Sequence, residues 1–315
     1  MTIDAWPRVA VMGAGAVGCY FGGMLARAGA PVTFIGRAAH VEAITANGLL
    51  LQTRDFQEMV QASASTDAAA VGGAQMVLFA VKTTDTEAAA NALLPHLLNG
   101  AVLVCLQNGV DGAERIRGTT RIDAIPATVY VAAEMAAPGV VKHAGRGDLV
   151  IGDPSQRGES SNQRRHDIDR IAEIFGRAGV PCRVSASIER DLWTKMVMNC
   201  AYNAISALSR TRYARLVADP GTREVMRHAI EETVAVARGL GVAMPDGMVE
   251  AGWKLADSMP NALSSTGQDI LRGKRTEIDS LNGHVARRGA ELGIPTPVNQ
   301  TLHALVKLLE EQMFQ

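Results

Sequence analysis

Cysteine is sparse in this chain. The four residues Cys19, Cys105, Cys182 and Cys200 stand far apart, with no CxxC pair and no Cys/His ligand spacing. That pattern excludes a disulfide framework and a structural zinc, and it reads as reduced core thiols of a cytoplasmic protein. An excess of charge is also missing: 31 Lys and Arg against 32 Asp and Glu leave a formal net charge of -1. Neither nucleic acid nor an anionic membrane surface is therefore expected as a partner. No apolar run approaches the roughly 18 residues of a membrane-crossing helix. The segment Met1–Pro7 carries Asp4 and no basic-then-apolar signal, so no export is expected. Internal repeats and low-complexity tracts are absent as well. What is present is an ordinary globular composition, 47% hydrophobic and 20% charged over 315 residues, long enough for two domains.

The strongest local pattern lies near the start. Arg8 to Met12 is a short apolar strand that runs into Gly13-Ala14-Gly15-Ala16-Val17-Gly18. A small-residue helix follows through Leu25, Ala26 and Ala28, Gly29 closes it, and Pro31 to Ile35 supplies a second strand. A lone GxGxxG is weak, but this one has the strand-turn-helix-strand setting that its physics requires. The first glycine makes a tight turn, the second lets a pyrophosphate approach the backbone, and the third lets helix and strand pack closely. The phosphates then meet the free N–H groups of the helix start. After the second strand comes Gly36-Arg37, with no acid until Glu42. An acid there would hold a ribose 2′-hydroxyl, whereas an arginine fork suits the 2′-phosphate of NADPH.

Two further buried strands follow. Ala74 to Val81 ends at Lys82-Thr83, Ala101 to Leu106 ends at Gln107-Asn108-Gly109, and Glu87 to Leu98 reads as the helix between them. Ligands of an open parallel sheet lie beyond the carboxyl ends of its strands. Lys82 or Asn108 alone is an ordinary polar strand terminus; at two successive ends they become candidate site residues. Between Thr128 and Asp153, three short alternating stretches at 129–131, 139–143 and 148–152 read as added antiparallel strands. His143 is set aside as structural. Pro154 to Arg165 reads as an exposed loop, Ile168 to Ala178 as a helix and Val180 to Val184 as a last strand.

From Ile188 the apolar period is close to 3.6, and helices are expected near 188–208, 220–240, 245–257, 261–271, 276–292 and 298–312. The composition shift at Ser185-Ala186-Ser187 divides the chain into 1–186 and 187–315. The first helix of the second part is apolar nearly all round except for Lys195, Asn199 and Asn203, which stack at i, i+4 and i+8, with Ser206 on the same line. A helix this apolar should be largely buried, where lysine and asparagine are costly unless they are hydrogen-bonded or face a polar ligand. A second polar group spans Ser264 to Asp279. There Thr276 and Asp279 read as an N-capping pair, which would put Glu277 in the first turn of a new helix.

Taken together, Gly13 to Gly18 with Arg37, Lys82-Thr83, Gln107-Asn108-Gly109, Gly145-Arg146-Gly147-Asp148 to Gly152, Leu192-Trp193-Thr194-Lys195 with Asn199 and Asn203, and Ser265 with Thr276-Glu277-Ile278-Asp279 resemble the ketopantoate reductases (2-dehydropantoate 2-reductases), in order and over nearly the whole chain. The resemblance implies an α/β fold: an N-terminal Rossmann domain binding NADPH or NADP, then an all-helical domain of the 6-phosphogluconate dehydrogenase C-terminal type, with the active site in the cleft between. It implies that Lys195 is the general acid, protonating the C2 carbonyl oxygen as hydride arrives, and that Glu277 lies near lysine and cofactor. Asn199, Asn203 and Ser265 would hold the substrate. Gly13, Ala14, Gly15, Ala16, Val17, Gly18 and Arg37 would hold the cofactor, with Ala132 or Ala133 along its path. Lys82 and Asn108 would contact both. The partner is a small 2-oxo acid, and the resemblance leaves room for a homodimer. The chain departs from the family pattern at Tyr213, where an asparagine is usual. The expected reaction is NADPH-dependent reduction of ketopantoate to (R)-pantoate in pantothenate and coenzyme A biosynthesis. Alternatives are a related reductase of another 2-oxo or 3-hydroxy acid, or a non-catalytic NADPH sensor, which would lack the polar stripe.

Overall fold

A computed structural model describes residues 5–154 and 161–314. Residues 1–4 of the leading segment and 155–160 of the stretch read as an exposed loop lie outside them. The chain forms two compact units, Met1–Ile188 and Glu189–Gln315.

The first unit alternates. In chain order it contains β1 (Val9–Met12), α1 (Ala16–Arg27), β2 (Val32–Ile35), α2 (Ala38–Asn47), β3 (Leu49–Gln52), β4 (Gln57–Val60) and β5 (Ser63–Ser65). Then come β6 (Met76–Phe79), α3 (Thr86–Leu93), β7 (Val102–Cys105), α4 (Gly112–Thr120), β8 (Ile125–Ala137), β9 (Val140–Ile151), α5 (Asn162–Arg177) and β10 (Cys182–Val184). The parallel strands lie side by side as β5-β2-β1-β6-β7-β8. Counted among themselves in chain order they run 3-2-1-4-5-6, the doubly wound dinucleotide-binding arrangement. Both faces are covered, which is why β1 and β6 are buried at every position. Phe21, Leu25, Ile171 and Phe175 pack on one side, with Ala90, Leu93 and Ile116 on the other. Each large side chain fully buried in this way contributes about 1.5–3 kcal/mol.

Three sequence expectations change here. The short stretches after Thr128 are two long antiparallel strands, β8 and β9, whose register shifts at Tyr130/Val131 and Ala132/Ala133. Within them Arg146 forks onto Asp148 at 2.9 and 2.7 Å and lies over the Tyr130 ring, so the Gly-Arg-Gly-Asp stretch has a structural role. His143 does too: it stacks on Tyr20 and its Nε2 contacts the Arg146 carbonyl at 2.7 Å. Strands β3, β4 and β5 went unread, and β5 supplies the third parallel position from only Ser63-Ala64-Ser65. Helix α5 starts at Asn162 rather than Ile168, because the Ser161 hydroxyl accepts from the Arg164 N–H and caps it.

The described part of the second unit is helical: α6 (Ile188–Ser209, beginning at the unit boundary), α7 (Tyr213–Ala218), α8 (Pro220–Gly239), α9 (Met248–Ser258), α10 (Ser265–Leu271), α11 (Asn282–Leu292) and α12 (Pro297–Met313). Asp219 caps α8 through the Thr222 N–H, with Pro220 in the first turn. Glu232 of α8 caps α12 by accepting from the Val298 and Asn299 N–H groups at 2.9 Å each. Asn299 in turn accepts from Asn282, whose amide also donates to the Cys200 carbonyl of α6. Buried amides of this kind lock α8, α11 and α12 around the middle of α6, since each lost partner would leave a costly bare dipole. No helix among the described residues is long and apolar enough to cross a membrane.

Candidate active site

The glycine loop is built as its chemistry requires. Gly13 has φ +111°, and a Cβ there would meet Val81 N at 2.6 Å and the Ala80 carbonyl at 2.7 Å. At Gly18 a Cβ would sit 2.1 Å from the Gly13 oxygen. Gly15 is different: nothing lies within 4 Å of where its Cβ would be. The first and third glycines are thus demanded by the protein's own packing, while the second opens on free space. Gly15 is the N-cap of α1, supplies no capping side chain, and the first helical turn holds no acid. Open backbone at the positive end of a 12-residue helix suits an anion. A dinucleotide pyrophosphate fits there.

Arg37 directly follows β2 and Gly36, is exposed, and begins α2 without capping it. Its position beside the loop, with no acid at the end of β2, fits a 2′-phosphate. We predict that Arg37→Ala weakens NADPH at least tenfold and leaves NADH within about twofold, as loss of one bidentate charge-assisted contact should. Equal weakening of both in fluorescence titrations would remove the 2′-phosphate role.

Lys82 stands three residues beyond β6, and Asn108 three beyond β7, both half-buried at the carboxyl edge of the parallel sheet. Ala132 is elsewhere along this unit: it lies six residues past Pro126, where β8 has left β7 and pairs with β9.

In the second unit Lys195, Asn199 and Asn203 share one face of α6. Successive members rise by about 6 Å, and Tyr202 stands on that face as well, seven residues after Lys195. The face is graded. Lys195 and Asn199 are half-buried, while Tyr202, Asn203 and Ser206 are buried. The start of α10 closes the buried end. The Asn203 amide donates to Ser265 Oγ at 3.4 Å, the Ser264 hydroxyl donates to the Asn203 carbonyl, and the Ser264 N–H donates to Ser206. The structure therefore brings together Asn203 and Ser265, two of the residues that the resemblance assigns to the substrate. Tyr213 packs against Tyr202 with ring centres 4.3 Å apart and planes tilted by 38°, and burial pushes its phenol up to about 12.

Glu277 is not in the first turn of a helix. A short 3-10 turn occupies Ile278–Ser280, and α11 starts at Asn282. Thr276 and Asp279 do not cap together because each has a stronger partner on α12. The Thr276 N–H donates to Glu310, and Asp279 accepts from His303 at 2.7 Å and Lys307 at 2.8 Å. Glu277 is held between these two anchors. Hydrogen bonding from His303, aided by Lys307, holds the Asp279 carboxyl well below the usual carboxylate range. The native chain then binds fewer protons here than the unfolded chain. The stabilisation is present above the unfolded value of about 3.9 and is lost as pH falls through the lower native value. Asp279→Asn should cost about 1 kcal/mol at pH 7, a modest figure because the pair is partly exposed. Thermal melts should show that deficit shrinking toward pH 3; a deficit independent of pH would discount the ion pair.

Comparison with known proteins decides the family. The model of the ketopantoate reductase PanE/ApbA family matches residues 9–156, and the model of that family's C-terminal region matches 187–310. The chain belongs to the ketopantoate reductase family. It is 34% identical to a 2-dehydropantoate 2-reductase of Halobacterium salinarum over 306 residues, 96% of this chain and 99% of that one. A crystal structure of a PanE/ApbA family ketopantoate reductase from Ralstonia eutropha is 50% identical, with a TM-score of 0.90 over 98% of this chain and 100% of that one. A ternary structure of D-mandelate dehydrogenase with NADH and anilino(oxo)acetate shares the fold at a TM-score of 0.90 and 21% identity, covering 98% of this chain and 100% of that one.

For a ketopantoate reductase the sequence reading overlooked Gln107 as a separate element. It is buried, and its amide reaches residues more than twenty positions away. A polar residue closing a buried strand was the only sequence signal. Among the described residues no three His, Cys, Asp or Glu side chains are grouped as metal ligands.

Proposed function

We propose that this chain is an NADPH-dependent 2-oxo acid reductase that converts ketopantoate to (R)-pantoate, on the route to pantothenate and coenzyme A. The observation that carries this reading is the graded stripe of α6, where a half-buried lysine is followed by two asparagines, the second hydrogen-bonded to Ser265. Family membership supports the substrate. The glycine loop, Arg37, Lys82, Asn108 and Ala132 would hold the cofactor, which when bound supplies hydride to the C2 carbonyl carbon.

Most of the remaining chemistry belongs to side chains of the second unit. The Lys195 ammonium polarises the carbonyl oxygen and donates the proton that completes the hydroxyl, then regains one from solvent. The Asn199 and Asn203 amides and the Ser265 hydroxyl offer donors and acceptors to the substrate carboxylate and hydroxyl, with Asn108 as a further contact. Glu277, fixed between the Thr276 and Asp279 anchors, orients the ammonium. Steady-state oxidation of NADPH with ketopantoate tests the proposal. We expect kcat/KM within the usual enzyme range of roughly 10⁴–10⁸ M⁻¹s⁻¹; turnover orders of magnitude below it would reject ketopantoate.

One observation favours a second reading, a reductase of a different 2-oxo or 3-hydroxy acid. Tyr213 packs at a 38° tilt against Tyr202 at the position where the resemblance implies asparagine, replacing a small amide by an aromatic surface. Turnover of other oxo acids with none on ketopantoate would select it.

A further inference from the structure

The carboxyl ends of β6 and β7 are tied by a hydrogen-bonded clamp centred on Gln107. Its amide nitrogen donates to the Val81 carbonyl at 3.0 Å and to Thr86 Oγ1 at 2.8 Å. A carbonyl can only accept, so the side chain must present its nitrogen to Val81 and both of its N–H groups are used. Thr86, fully buried, donates onward to the Thr83 carbonyl at 3.0 Å. That same carbonyl receives Arg115 of α4 at 2.8 Å, and Arg115 is itself held by Glu87 through two 2.7 Å contacts. The links through Gln107, Thr86 and the Thr83 carbonyl are buried or half-buried, where such bonds are strongest and a missing member is most costly, while the outer Arg115–Glu87 pair is exposed.

The clamp grips a segment with two neighbours that matter. On one side Ala80 and Val81 lie against Gly13, close enough that a Cβ there would strike their backbone. On the other the chain runs straight into Lys82, while Gln107 itself precedes Asn108. We infer that Gln107 is a positioning residue for dinucleotide binding: it sets where Val81 and Lys82 stand relative to the glycine loop and to Asn108. Gln107 does not touch the ligand; it acts through the Val81–Lys82 segment. This rests on the reading that the first unit binds NADPH.

The test uses the full chain and NADPH. Gln107→Leu removes both donors at similar volume, and Thr86→Val removes the relay, while Thr86→Ser keeps the hydroxyl. Three quantities are measured for each: the NADPH dissociation constant by nicotinamide fluorescence, kcat at saturating NADPH, and hydrogen exchange of the amides of residues 81–86. Gln107→Leu should weaken NADPH 10–100-fold, speed exchange of 81–86 at least tenfold, and change kcat less than threefold. Thr86→Val should follow in the same direction and Thr86→Ser should restore the native values. Faster exchange with unchanged NADPH affinity would reduce the clamp to a purely structural one and overturn the inference. So would equal behaviour of Thr86→Val and Thr86→Ser. Absence of NADPH binding in the unaltered chain overturns the functional reading and this inference with it, whereas binding that neither Gln107→Leu nor Thr86→Val alters overturns the inference alone.

Discussion

Lys195→Ala should lower kcat by about 10²–10⁴-fold, the range for loss of a positioned general acid, while NADPH affinity stays within about twofold of native. The expectation follows from where the lysine sits. It is half-buried on a helix whose residues Trp193, Met196 and Val197 are buried, so its four-carbon stem can cover apolar surface while the ammonium stays polar. Arginine would keep the charge yet fail as a substitute, since a planar guanidinium does not give up a proton near neutral pH. Lys195→Arg should therefore recover little of the rate even if it recovers substrate affinity. Single-turnover measurements separate the two, because they report chemistry free of product release. A kcat unmoved in Lys195→Ala would leave Lys195 as no more than a polar residue of the helix face.

The second large effect contrasts two glycines three residues apart. Gly18→Ala should destabilise the fold by about 2–3 kcal/mol, because overpacking against rigid neighbours costs that much. Its Cβ would stand 2.1 Å from a backbone oxygen and 2.8 Å from Val11 Cγ1, and a carbonyl cannot swing away as a side-chain tip can. NADPH binding should fall at least 100-fold with it. Gly15→Ala should behave otherwise. Its backbone has φ −90°, acceptable to alanine, and nothing of the protein lies within 4 Å of the new methyl. Thermal stability should stay within about 0.5 kcal/mol of native, as for an unstrained surface change, yet NADPH affinity should drop 10–100-fold because the methyl occupies the space open to the pyrophosphate. Native affinity in Gly15→Ala would mean that the loop is a packing device and no phosphate cradle.

The legible and illegible parts of the sequence differ for physical reasons. The glycine loop could be read because its three glycines, its buried strand and its small-residue helix are all local. The α6 stripe could be read because helical periodicity places Lys195, Asn199 and Asn203 on one line wherever the helix packs. By contrast β5 consists of Ser63, Ala64 and Ser65, and its place in the sheet comes from backbone pairing with β2, which leaves no hydrophobic trace. Thr276 and Asp279 had the spacing of a cap, but their partners Glu310, His303 and Lys307 arrive from a helix 24 to 34 residues later. Gln107 was hidden in the same way, since its role depends on Val81 and Thr86. Tyr213 showed its departure from the family pattern, while its tilted packing against Tyr202 belongs to tertiary structure.

The anchoring of the Glu277 segment to α12 also fixes an order of events during synthesis. Glu310, which receives the Thr276 N–H, lies more than a hundred residues beyond Ile188, the last residue of the first unit. A domain emerging from the ribosome folds as soon as its own contacts are available. The dinucleotide-binding half can therefore mature early, while the loop that carries Glu277 must wait until translation has passed Glu310. A nascent chain arrested between those points would hold the architecture of its first unit and still lack a settled Glu277 loop.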